Sequence, residues 1–245
     1  MARCYTWRPD VPDALRDHVF KANGKRLPES VDLRQHCSPV EDQGNLGSCT
    51  GNAIVGALEY LEGIDGGAKL NLSRLFVYWQ ERKIEGTVGY DAGAQIRDGV
   101  KVCAKFGVCS EAYWPYRIVD YRKEPGKRAY ADARLRRITE YQRVIGFDNL
   151  QAALANKLPV VFGFSVYASF ESSKVASTGV VPMPTKGEKL LGGHAALCVG
   201  YDNATQRVTV RNSWGKHWGL NGYCTMPYDY VSSRGLSDDF WLIIK

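Results

Sequence analysis

Apolar side chains at Ile54, Ala57, Leu58 and Leu61 recur at the i, i+3, i+4, i+7 spacing that places them on one face of a helix. The spacing predicts a helix from Cys49 to Gly63, with Gly63 as its stop. "LSRLFVYWQER" predicts a second helix capped by Ser73, and "AQIRDGVKVCAKFG" a third closed by Gly107. Further along, "LPVVFGFSVY", "GGHAALCVGYD", "QRVTVRNSW" and "GYCTMPY" are short runs rich in β-branched and aromatic residues, separated by Gly, Pro and Asn. They read as strands of an antiparallel sheet or barrel, and the terminal "FWLIIK" as a last core strand. A helical half followed by a β half predicts an α+β protein, with the change near "YWPYR". Residues 28–115 are then a mainly helical lobe and 116–245 a mainly β lobe, with a cleft expected between them. Residues 1–27 carry prolines, charges and little periodicity, which predicts an arm outside the core.

Composition changes this picture little. A chain of 245 residues, 44% of them apolar, supports one large domain or two small ones. It has no run of about 18 apolar residues and no basic-then-apolar N-terminus, so no membrane association, a cytoplasmic location and a monomer are expected. The formal charge is +6, and the densest basic stretch, residues 121–144, is interrupted by acidic residues. A solvated face is the better reading, and no nucleic-acid partner is expected. Seven cysteines are an odd number, so at least one is a free thiol, and no CxxC pair supports a metal site. Cys198 and Cys224 fall in strand-like runs as inert buried thiols. No cofactor is implied.

The chemistry centres on "VEDQGNLGSCTGNA", residues 40–53. A thiol at a helix start lies beside unpaired N–H groups and the positive end of the helix dipole, which favour a thiolate. That dipole supplies roughly 0.3–2 kcal/mol, at most about 1.5 pKa units, so a nucleophilic Cys49 also needs a base. Glycines at 44, 47 and 51 leave the thiol unshielded, which a merely structural cysteine does not need. Of the four histidines, His194 alone follows two glycines and opens an apolar strand. Asn212 is the best candidate to fix its tautomer. Gln43 brings a side-chain NH2 that pairs with the Cys49 N–H as a two-donor oxyanion hole. Taken singly, a core thiol, a structural histidine, a turn asparagine and a surface glutamine remain open.

Taken together, "PESVDLR", "QGNLGSC", "GGHAALCVGY" and "NSWGKHWGLNGY" resemble, in order, the landmarks of the papain-like cysteine peptidases. The interval from Cys49 to His194 also suits that family. The resemblance covers about residues 28–226 and implies a two-lobed fold with the active site in the cleft. It implies Cys49 as nucleophile, His194 as general base and acid, Asn212 as orienter and Gln43 as oxyanion donor. Trp214 then shields the His194–Asn212 bond. Ile96, Gly163 and Gly193 fall near the pocket for the second substrate residue on the acyl side, where two glycines imply a roomy slot for a hydrophobic or aromatic side chain. Leu46 and Thr50 depart from the usual Cys-Gly-Ser-Cys-Trp signature, and the partner of the missing cysteine falls near Asp91, so this chain resembles the bacterial-type members without that bridge. A peptide or protein substrate is implied. The arm is far shorter than the usual pro-segment; "YTWRPDVPD" offers aromatic, proline and carboxylate contacts for a strap across the cleft, a brace or a removable tail. The alternatives are an acyltransferase using the same thioester and an arm-blocked, peptidase-like binding module.

Overall fold

A computed structural model describes residues 3–24, 26–64, 66 and 70–245; of the arm, residues 1, 2 and 25 lie outside the described set. In chain order the elements are β1 (Ser30–Asp32), α1 (Cys49–Ile64), α2 (Arg74–Glu85), α3 (Ile96–Lys105), α4 (Lys127–Ala133), β2 (Glu140–Arg143) and α5 (Phe147–Ala155). They continue as β3 (Val160–Tyr167), α6 (Ser173–Thr178), β4 (Leu190–Asp202), β5 (Arg207–Arg211), β6 (Tyr223–Pro227), α7 (Tyr228–Ser232) and β7 (Ser237–Ile244). The three periodic helices and the five predicted strands are present, and the fold is the expected α+β arrangement.

Helix α1 is the buried axis of the helical side, wedged among α2, α3 and β4. Its residues Cys49–Leu61 are buried on every face rather than along one stripe, because the chain wraps it completely. Gly51 permits the close approach of α2: a Cβ there would sit 2.8 Å from the Arg74 carbonyl oxygen. Gly63 does not end the helix, which runs one residue further to Ile64. The Ser73 cap forms as expected, its hydroxyl accepting the Phe76 N–H at 3.1 Å, and Gly86 closes α2 at φ 72°.

The sheet is antiparallel throughout, in the order β2-β7-β3-β4-β5-β6, with β1 paired to β4. Ser30–Asp32, from the first half of the chain, therefore belongs to the β side. Residues of 116–133, beyond the expected lobe boundary, pack on the helical side instead: Tyr116, Ile118 and Tyr121 lie against Leu46, Leu75 and Tyr78, and Ala129 and Ala133 against Phe76. No disulfide forms; all seven cysteines are free, with Cys198 and Cys224 buried. Among the described residues no helix is long and apolar enough to cross a membrane.

The arm departs most from expectation. Trp7 and Asp10 are buried, and Trp7 belongs to the main hydrophobic cluster. An aromatic ring among prolines and charges has no periodicity to show where it packs, because its pocket is made by distant strands.

Candidate active site

Strand β4 carries His194 opposite Phe164 of β3, and Asn212 lies one residue past β5, its N–H bonded to the Gly222 carbonyl at 3.0 Å. His194 Nε2 lies 2.8 Å from Asn212 Oδ1, which also accepts the Ser213 backbone N–H at 2.8 Å. Because that backbone group can only donate, the atom it meets is the amide oxygen. Nε2 therefore carries the proton, and Nδ1 keeps its lone pair. Nδ1 is buried and has no hydrogen-bond partner among the described residues. The Trp214 ring lies over the imidazole at 5.1 Å between centroids and covers the pair.

Cys49 is the first residue of α1, and its sulfur is under the influence of the backbone amide of Ala195, next to His194, and of the first amides of its own helix. Those donors favour thiolate, but burial outweighs them and pushes the thiol up to about 12. Burial likewise pulls His194 down to about 4 against the bond to Asn212. Both residues are 0% exposed. With those shifts the thiol and the imidazole are both uncharged near neutral pH.

Gln43 sits on the loop before α1, held by three groups. Its N–H donates to the Ser213 carbonyl at 2.9 Å, its carbonyl accepts the Tyr116 hydroxyl at 2.9 Å, and its Oε1 accepts the Ser213 hydroxyl at 2.6 Å. Nε2 donates one hydrogen to the Leu46 carbonyl at 2.9 Å and has no other partner among the described residues. Asp91, near the position of the family's missing cysteine partner, accepts the Gly47 N–H at 2.9 Å and the Tyr78 hydroxyl. A carboxylate thus braces the loop where a covalent bridge is lacking.

The arm covers these groups. The Arg3 guanidinium lies 3.6 Å above Trp214, Tyr5 stands edge-on to His194, and its hydroxyl bonds Glu171. Thr6 forms a parallel bridge with Gly193, its hydroxyl donates to the Gly47 carbonyl at 3.1 Å, and the Trp7 N–H donates to the Gly193 carbonyl at 3.0 Å. The Trp7 indole occupies the space left by two missing side chains: a Cβ on Gly163 would sit 1.9 Å from the ring and one on Gly193 2.7 Å from it. Gly93 gives similar clearance to Thr6, whose carbonyl oxygen would be 2.0 Å from a Cβ there.

Gly163 and Gly193 therefore both face the Trp7 indole and line one slot around it. Trp214 packs on His194 beneath Arg3, and Ile96 is fully buried at the start of α3. The adjoining Gln95 reaches the arm, its amide donating to the Pro9 carbonyl at 3.4 Å. Sequence reasoning missed Gly93, Asp91 as a brace and Trp7 as occupant; the aromatic in "YTWRPD" was the one local signal.

Among the described residues no group of three or more His, Cys, Asp or Glu is arranged to hold a metal ion. A cavity of about 360 Å³ lies away from Cys49, lined by Pro12, Phe147, Leu150 and Phe240 among others.

Comparisons with known proteins agree with this geometry. The family described as "Papain family cysteine protease" matches residues 27–240. The chain is 41% identical over 246 aligned positions to an uncharacterized peptidase C1-like protein of Acanthamoeba polyphaga mimivirus, covering 96% of this chain and 76% of that one. It is 31% identical to bovine (Bos taurus) cathepsin S, covering 91% and 67%. Among solved structures it superposes on xylellain, a cysteine protease from Xylella fastidiosa, with a TM-score of 0.92 and 43% identity, covering 98% and 96% of the two chains. With that match extending over most of the chain, this protein belongs to the papain family of cysteine proteases and is a cysteine-type peptidase.

Proposed function

We propose that the protein hydrolyses peptide bonds through a thioester on Cys49 and that its own arm restrains it. His194 Nδ1 takes the thiol proton, and the sulfur attacks the scissile carbonyl carbon. The oxyanion is held by the Cys49 N–H and the free N–H of Gln43, and the imidazolium then protonates the departing amine. A water, deprotonated by His194, adds to the thioester and releases the acid, returning the thiol. Asn212 keeps the imidazole in the tautomer this requires, and Trp214 keeps water from their bond.

The observation that carries the reading is the Trp7 indole in the Gly163/Gly193 slot, with Thr6 bridged to Gly193 and Tyr5 edge-on to His194, while Cys49 and His194 are fully buried. The same slot supports an aromatic side chain in the second substrate residue on the acyl side, in competition with the arm. Full-length protein and its Cys49→Ala variant compared on a fluorogenic peptide with that residue aromatic test the chemistry. Turnover is expected only with Cys49, and equal hydrolysis by both proteins overturns the assignment.

A further inference from the structure

The part of the arm beyond Trp7 is anchored by a buried group of charges. Asp10, Asp17 and Asp239 face two guanidiniums, Arg97 and Arg143. Arg97 pairs with Asp10 at 3.1 Å and Asp17 at 2.5 Å; Arg143 pairs with Asp10 at 2.5 Å, Asp17 at 3.0 Å and Asp239 at 3.2 Å. The Asp10 N–H donates to Asp239 Oδ2 at 2.8 Å, so two carboxylates, each with a side chain only 1% exposed, are held close together across the arm–body junction. Three carboxylates against two guanidiniums leave one excess negative charge among side chains that are almost wholly buried, and such an excess is relieved most readily by binding a proton.

We propose that this cluster is a pH-dependent latch, closing with a proton on Asp239 where it meets Asp10 of the arm and loosening as the solution becomes alkaline. The inference rests on the arm-restraint reading above and specifies its regulation.

The surroundings do not cancel the excess. Helix α3 adds Asp98, which is paired with Lys101 at 3.6 Å, so the two offset each other. Strand β2 contributes Glu140, paired with His18 of the arm, besides Arg143. On β7 the neighbour Asp238 adds only further negative charge. The adjoining β3 has no charged residue, and α7 carries Asp229 and Tyr230, whose hydroxyl donates to the Ser165 carbonyl at 2.6 Å. Burial, then the charge of Asp10, raise the Asp239 carboxyl to about 7, against the opposing Asp10 N–H and Arg143.

The direction follows from which state takes up the proton. With the arm seated, Asp239 is protonated below about 7. With the arm lifted, Asp10 is gone, water returns, and a carboxylate beside Arg143 is ionised throughout the neutral range, its ordinary value being about 3.9. Docking thus takes up a proton, and its contribution is lost as pH rises through about 7. Asp17 has the opposite sign: its contacts with Arg97 and Arg143 and the Asp13 amide hold it below its ordinary value against burial, so its contribution is lost only in acid. For a docked value of about 7, docking weakens about tenfold between pH 6 and pH 8.

Hydrogen exchange on full-length Cys49→Ala protein, which cannot digest itself, tests the latch. The Trp7 amide, bonded to the Gly193 carbonyl, reports arm opening, and the Leu197 amide within the sheet reports global unfolding. After correction for intrinsic exchange, Trp7 protection is expected to fall about tenfold from pH 6 to pH 8 while Leu197 protection holds. In Asp239→Asn, whose amide mimics the protonated carboxyl, the fall is expected to vanish. Trp7 protection that is constant or rises with pH, or an unchanged response in Asp239→Asn, overturns the latch while leaving the restraint standing. An unprotected Trp7 amide at every pH overturns the restraint itself, and the latch with it.

Discussion

Truncating Trp7 to alanine removes the group that fills the Gly163/Gly193 slot. The side chain is 7% exposed when the arm is seated, so docking buries most of an aromatic surface of about 150–250 Å². At about 25 cal/mol per Å² this supplies roughly 4–6 kcal/mol. The indole N–H is buried with no partner among the described residues, which costs about 1–3 kcal/mol and lowers the net contribution to about 1–5 kcal/mol. Because the ring is buried only while the arm is docked, that loss falls on the closed-to-open equilibrium rather than on the fold. Trp7→Ala should therefore shift that equilibrium by about 5- to 5000-fold. The assay is the rate at which a thiol-reactive epoxide labels Cys49 in the full chain, together with initial hydrolysis of a small fluorogenic peptide. Both should rise, up to the limit at which the arm is open. Trp7→Phe retains a ring without the orphaned N–H and should label as slowly as the parent. Equal labelling and hydrolysis rates in the parent and Trp7→Ala, at equal thermal stability, would refute the reasoning.

Other consequences are equally direct. Gln43→Ala, measured in a Trp7→Ala background so that the cleft is open, should lower kcat by about 10²- to 10³-fold, the usual effect of removing one oxyanion donor. Gly163→Val places side-chain atoms where the indole lies, so it should accelerate epoxide labelling and cut kcat/KM for peptides with an aromatic second residue far more than for those with alanine there. Alkylation of Cys49 by iodoacetamide should respond to pH differently in the two states. In the parent, burial holds the thiol at about 12 and His194 at about 4, so the rate at neutral pH should be low and climb steadily into the alkaline range. In Trp7→Ala, water reaches the pair, the thiolate–imidazolium form becomes accessible, and the rate should level off well below that range.

Local features were legible in the sequence wherever the physics is local. The Ser73 cap, the helical spacing within α1, and the alternation of strand-like runs with turn residues each depend on neighbours within a few positions, and the elements they predict are present. For the candidate site the sequence offered local associations: Gln43 and Cys49 share one short segment, His194 opens the apolar run that forms β4, and Asn212 directly follows the run that forms β5. Tertiary structure decided the rest. No periodicity distinguishes a helix buried on one face from α1, which is enclosed on all of them, since enclosure depends on what the remainder of the chain wraps around it. Residues of 116–133 carry little that assigns them to a side; their apolar groups settle where Leu46, Phe76 and Tyr78 leave surface to cover.

The arm shows the division most plainly. The sequence by itself determined that a tryptophan and several aspartates precede the family's landmarks, and that two glycines lie in the β half. Only folding brings Gly163 and Gly193 side by side to form a slot the width of an indole, and only folding sets Asp10 against Asp239 from the other end of the chain. Burial of an aromatic ring and of an uneven set of charges are properties of an enclosed volume, and that volume exists only once β3, β4, β7 and α3 are assembled around it.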